Sequence, residues 1–177
     1  GECVVGEDAG YSYETTETAG HLLTDFLVPG AVGRTGAGAE DLLNAVPWIR
    51  GHPMAKACVE MAGWDLAARM DGVSLSAKIG GVRERVPVGV SIGIQKTDEA
   101  LHEKVAGYVA EGYARIKIKI KPGRDVEMLA GVRKAFPDTP LMADANSAYR
   151  LGDADRLKAL DELDLMMIEQ PLAYDDL

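Results

Sequence analysis

The chain has 177 residues and a formal net charge of −9, with 47% apolar and 27% charged residues. That balance supplies enough apolar side chain for a packed core and excludes intrinsic disorder. An acidic chain without a basic run is a poor partner for nucleic acid or an anionic membrane, and no apolar stretch approaches the roughly 20 residues that span a bilayer.

The opening residues, Gly1 to Glu7, carry no basic segment followed by an apolar one, so no signal peptide is read. Gly in place of Met at the start points to processing or to a piece of a longer chain. Cys3 and Cys58 fit no metal or disulfide framework and read as reduced thiols of a cytoplasmic protein.

As far as residue 85 the pattern is mainly helical. Apolar spacing predicts a short helix over Thr15 to Leu27, stopped by Pro29-Gly30. Gly30 to Gly38 reads as a glycine-rich loop. It matches neither the dinucleotide fingerprint nor the phosphate-binding loop, because no strand precedes it. A second helix covers Ala39 to Val46. A longer one runs from Met54 to Met70, with Met54, Cys58, Met61, Ala62 and Leu66 on its predicted core face, and Asp71-Gly72 ends it. Asp65 reads as a buried acceptor in that helix, and Lys78 to Gly81 as a linker.

After Val86 strands and helices alternate. Strands are expected at Val86–Ile94, Arg115–Ile120, Leu141–Ala143 and Leu165–Ile168. Between them lie a helix capped by Thr97 and running through Glu111, a helix over Asp125–Phe136 and a helix over Asp153–Leu160. His102 reads as a solvated residue of the first. Such alternation implies parallel strands covered by helices, in a doubly wound sheet or a (β/α) barrel.

Three strand ends carry the chemistry. In Arg115 to Lys121 the isoleucines share one face and Lys117, Lys119 and Lys121 the other. Lysines directed into a buried parallel sheet are costly unless they serve a site. Two further apolar strands end in carboxylates, Asp144 and Glu169. From Lys119 to Asp144 is 25 residues, and from Asp144 to Glu169 another 25. One strand-helix unit separates each pair, so the three groups occupy equivalent positions at the C-terminal strand ends, where parallel α/β folds keep their sites. Hard oxygen ligands there suit Mg²⁺. A nearby cation and a second lysine would lower a lysine pKa toward that of a useful base. A base beside a Lewis acid suits removal of a proton α to a carboxylate with stabilisation of the enediolate, a design known from enolase-type sites.

Lys117-Ile118-Lys119, Asp144-Ala145-Asn146 and Ile168-Glu169-Gln170-Pro171 resemble the enolase superfamily, muconate-lactonizing subgroup. Gly51 to Ala62, Val86 to Ile94 and Gly112 to Lys117 are similar, more narrowly, to its o-succinylbenzoate synthase and N-acylamino acid racemase branch. The resemblance implies an α/β fold made of a partial (β/α) TIM-type barrel, its first four units, over residues 86–177. Residues 1–85 would be a mainly helical portion of an α+β capping domain without its opening strands. It implies Lys119 as the acid/base catalyst and Lys117 as the group that holds the substrate carboxylate and modulates Lys119. Asp144 and Glu169 would bind Mg²⁺, with Mn²⁺ as a substitute, while Asn146 sits beside the metal and Ser91 faces the substrate. The implied partner is a small carboxylate, with homo-oligomerisation left open. The implied reaction is dehydration to o-succinylbenzoate in menaquinone synthesis. The alternatives are N-acylamino acid racemisation, dipeptide epimerisation, or a non-catalytic half barrel that self-associates. The family's third carboxylate and second lysine would lie beyond Leu177, so the expectation is an incomplete, inactive fragment.

Overall fold

The computed structural model describes every residue except 35–37, 45, 46, 174 and 177. The chain divides into two compact units, Gly1–Glu84 and Arg85–Leu177.

The first unit opens with a reciprocal cap. The Thr15 hydroxyl accepts from the Thr18 amide, and the Thr18 hydroxyl accepts from the Thr15 amide at 2.8 Å. Helix α1 (Thr16–Leu22) follows. Pro29-Gly30 does not stop it, contrary to the sequence expectation. The coil continues through a π turn, Leu23–Leu27, into α2 (Val28–Ala31). The Val28 amide bonds five residues back, to the Leu23 carbonyl. The coil is therefore widened just ahead of Pro29, where a proline ring would crowd the carbonyl four residues back. Of the expected Gly30–Gly38 loop, Gly30 is helical and residues 35–37 lie outside the described ones. Helix α3 is described over Ala39–Asn44, and the remaining expected positions, 45 and 46, also lie outside.

Helix α4 (Pro53–Met70) starts with a proline in the first turn, where its missing amide leaves no intrahelical bond unmade. Its buried face is Ala55, Val59, Gly63 and Ala68. The predicted face is wrong: Met61 is 44% and Leu66 56% exposed. The helix is apolar on several sides, and the small residues at 55 and 63 flanking Val59 permit the closest approach. Asp65 is half-exposed and pairs with Arg69 at 2.8 Å instead of being buried. Glu14, fully buried, accepts from the Met54 and Ala55 amides at 2.8 and 3.0 Å and so caps α4 from a distant segment. Ala19, Leu27, Ile49, Ala55 and Val59 form the core of this unit, with Phe26 and Leu42 against them. Lys78 belongs to α5 (Leu75–Lys78), capped by Ser74, so the expected linker is shorter by its first residue.

The second unit is a parallel sheet in the order β1-β2-β3-β4, built from β1 (Gly89–Ile92), β2 (Arg115–Lys119), β3 (Leu141–Asp144) and β4 (Ile168–Glu169). Helices α6 (Asp98–Ala110), α7 (Val126–Ala135) and α8 (Ala154–Lys158) lie between them in sequence. The expected Val86–Ile94 strand is trimmed at both ends. The expected Leu165–Ile168 strand shifts to Ile168–Glu169, and the expected Asp153–Leu160 helix breaks into α8 flanked by 3-10 turns. Ile116, Ile118 and Ile120 are buried in one core with Leu101, Val105, Leu129 and Val132 of the helices. The lysines of β2 therefore occupy the other face. Gly89 allows close strand packing, since a Cβ there would lie 2.5 Å from the Arg115 Cγ and 3.0 Å from its carbonyl oxygen. His102 is not solvated as expected. Its ring lies edge-on to Phe136 at 6.2 Å, with Nε2 buried.

Arg133 ties α7 to its surroundings. Its guanidinium donates to the carbonyls of Leu163, Pro137, Thr139 and Asp164 at 2.8–3.0 Å. Pro137 and Thr139 follow the end of α7, and Leu163 and Asp164 close the 3-10 turn ahead of β4, so one planar fork ties the two together.

Candidate active site

The 25-residue spacing becomes literal register. Lys119 pairs with Asp144 across β2 and β3, and Asp144 pairs with Glu169 across β3 and β4. Alternation decides which side each group faces. In β3, Leu141 and Ala143 are fully buried in the helix-side core, which leaves Met142 and Asp144 for the lysine face.

On that face the charges interlock. Lys117 Nζ donates to Glu169 Oε2 at 2.8 Å and lies 3.2 Å from Asp144 Oδ2. Lys119 Nζ lies 3.2 Å from the same Asp144 oxygen and donates to Asn146 Oδ1. The Asn146 amide donates to Asp144 Oδ1 at 3.1 Å. Asp144 is only 2% exposed. Burial alone would raise its pKa. The Asn146 amide and the two ammonium groups outweigh that and hold the carboxyl below its ordinary range. The Glu169 hydrogen bond, against the opposing effect of burial and with help from Asp144, holds the Lys117 ammonium above its ordinary range. Two carboxylates face that ammonium.

The two remaining predicted residues sit on either side of this row. Asn146 is beside Lys119. Ser91 pairs with Lys117 across β1 and β2 and is exposed. Ser91, Lys117, Arg115, Met142 and Glu169 line a cavity of about 300 Å³.

Asp144 and Glu169 present in-register oxygen donors to one point, where the Lys117 ammonium already bridges them. The donor chemistry fits a hard divalent cation, which binds through one or two carboxylates and completes its shell with water. Among the described residues no group of three or more His, Cys, Asp or Glu side chains is placed to hold a metal ion.

Sequence reasoning missed the backbone around these groups. Asn146 (φ 42°), Ser147 (φ 64°) and Gln170 (φ 43°) are all left-handed. Gln170 precedes Pro171, where an extended backbone is the rule. Such conformations persist only where surrounding structure enforces them, and they concentrate at functional sites. The sequence also held no separate signal for Tyr149, which is fully buried and donates to Asp125 Oδ2 at 2.8 Å.

Parallel strands in sequential order with a helix between successive strands are the arrangement of a (β/α) barrel, and the lysine and carboxylate row lies across their C-terminal ends. Residues 100–177 match the "enolase C-terminal domain-like" family. The whole chain is 55% identical to an o-succinylbenzoate synthase of Geobacillus stearothermophilus, covering 47% of that protein. It is 50% identical over its full length to an N-succinylamino acid racemase of Thermus thermophilus, covering 48% of it. The crystal structure of an enolase superfamily member from Listeria innocua superposes with a TM-score of 0.91 at 43% identity, over 98% of this chain and 47% of that one. The muconate lactonizing enzyme of Pseudomonas putida shares the fold at 20% identity, TM-score 0.89, over 98% of this chain and 50% of its own. Residues 100–177 thus fall in the enolase C-terminal domain-like family, the whole chain is similar to enolase superfamily members, and its fold is part of a (β/α) barrel with a helical unit before it in sequence. It spans about half the length of the curated relatives it matches.

Proposed function

We propose that this chain supplies the Lys119–Asp144–Glu169 half of an active site that removes a proton α to a carboxylate, in an enzyme of the o-succinylbenzoate synthase kind. The observation that supports this reading most is the in-register row itself, with Lys117 beside it. Lys119 Nζ, acting as the neutral amine, takes the substrate α-proton and becomes the ammonium, while the electron pair of the broken C–H bond passes into the enediolate. Asn146 Oδ1 holds that nitrogen in place. Lys117, on the same strand face and 2.8 Å from Glu169 Oε2, meets the substrate carboxylate as a positive charge. Ser91, on the neighbouring strand, faces the substrate. Asp144 and Glu169 would hold Mg²⁺, or Mn²⁺ in its place, which when bound lends positive charge to the carboxylate whose α-carbon becomes acidic.

The remaining barrel would bring a third carboxylate and a lysine for the opposite substrate face. The 177-residue chain alone is therefore expected to show no turnover and only weak Mg²⁺ binding. Racemisation of N-succinylamino acids is the second reading, favoured by the Thermus relative. It uses the same lysine and needs the opposite one as well. The reaction would belong to menaquinone synthesis in the first reading and to amino acid metabolism in the second.

The test uses the completed barrel. Lys119→Ala is expected to lower turnover by about a thousandfold on the cyclohexadiene carboxylate precursor of o-succinylbenzoate, on an N-succinylamino acid, or on both. Comparing the two unmodified rates ranks the readings. Wild-type turnover retained in Lys119→Ala on both substrates refutes them together.

A further inference from the structure

The turn that follows β3 is strained and heavily anchored. Asn146 and Ser147 are consecutive non-glycine residues at positive φ, a conformation that crowds the Cβ against the backbone. Several bonds oppose their relaxation. The Ser147 amide donates to the Gln170 carbonyl at 2.7 Å, and the Tyr149 amide donates to the Pro171 carbonyl at 3.1 Å. Both tie the turn to the end of β4. The third anchor is a side chain. The Tyr149 hydroxyl donates to Asp125 Oδ2, and Asp125 is itself fixed: it caps α7 through the Val126 amide at 2.9 Å and receives both Nε and Nη2 of Arg156. Asp125 and Tyr149 are each 1% exposed, so this contact is dry and rigid. The turn's one side chain on the lysine row is Asn146, on Lys119.

We propose that Tyr149 is a positioning residue: its hydroxyl, seated on Asp125, holds the Asn146–Ser147 turn left-handed and so keeps Asn146 Oδ1 on the Lys119 ammonium. The inference deepens the proposed function and rests on it for its catalytic consequence, though not for its structural one. Tyr149 touches no reacting atom. It acts through Asn146.

The structural arm needs no substrate. In Tyr149→Phe, amide hydrogen exchange at Asn146 and Ser147 is expected to quicken at least tenfold, while the sheet amides of Ile118 and Ala143 stay within twofold. Ser147→Gly removes the left-handed penalty at that position. Added to Tyr149→Phe, it is expected to restore slow exchange in the turn and to supply a folded protein if the single variant does not fold. Unchanged exchange at Asn146 and Ser147, an equal rise throughout the sheet, or no rescue by Ser147→Gly overturns the proposal. In the completed barrel the same substitution is expected to lower kcat about tenfold with KM within twofold, again recovered by Ser147→Gly. Faster exchange with unchanged kcat overturns the catalytic consequence. A wild-type enzyme without turnover on either substrate refutes the proposed function and leaves the exchange result standing.

Discussion

Each unit buries a carboxylate at the start of a helix, and the two are neutralised differently. Glu14 reaches α4 from forty residues upstream and accepts two helix amides, and the nearest ionisable nitrogen among its described partners is His52 Nδ1 at 4.0 Å. Asp125 is the cap of its own helix and also receives a bidentate guanidinium and a buried phenol. A helix N-terminus alone stabilises a carboxylate modestly, through unmet amides and the dipole. A bidentate arginine adds a full opposite charge in fixed geometry. Glu14 thus joins two chain segments in a small helical core, whereas Asp125 is the hub of a network that reaches the strand ends. The same device serves packing in one unit and site geometry in the other.

That contrast can be measured at several positions, beginning with the greatest loss. The Lys119→Ala loss of turnover is the functional one, given with its test above. Asp125→Ala removes the α7 cap and leaves the Tyr149 hydroxyl buried without its acceptor. We expect a loss of about 2–4 kcal/mol in the denaturant unfolding of the second unit. An effect below that range would mean that the network is dispensable.

Acid sensitivity comes next. The carboxyls of Asp125 and Asp144 lie below their ordinary value of 3.8 in the folded state, despite burial, because cations and amides face them. A depressed folded pKa means that the unfolded chain binds more protons near that pH. Their stabilisation is therefore complete above about pH 4 and fades as pH falls through the lower folded values. Lys117 has the opposite sign: its raised pKa contributes fully below its ordinary 10.5 and is lost only as pH climbs beyond it. Urea unfolding of the second unit should weaken steeply below pH 4, and Asp125→Asn should flatten that slope.

Glu14→Gln keeps one acceptor for two amides, and we expect a loss of about 1 kcal/mol in the first unit, measured by thermal unfolding. A loss as large as that of Asp125→Ala would erase the contrast between the two caps. Met61→Gln, on the exposed side of α4, should stay within about 0.5 kcal/mol of the parent. A larger effect would show that this face is covered in solution.

The second unit was largely legible in the sequence. Its strands alternate with helices, and Thr97 caps where the polar pattern places it, whereas Asp125, expected as the first residue of its helix, stands one position outside as the cap. The isoleucine and lysine faces of β2 followed from a period of two. The first unit was less so. Helix α4 is apolar on several sides, so periodicity alone chose the wrong face, and the size of Ala55 and Gly63 decided it instead. The coil ran past Pro29 because a π turn widened it, and single-residue propensity does not encode that.

The amino-acid order by itself determined which groups would meet at the strand ends. One strand-helix unit takes 25 residues here, so equal spacing put Lys119, Asp144 and Glu169 in one row. Only the tertiary structure decided how their charges partition. Lys117 lies within reach of two carboxylates and Lys119 of one carboxylate and an amide oxygen, because the sheet's twist and register, along with a left-handed turn held by Tyr149, set distances of about 3 Å that no spacing rule contains.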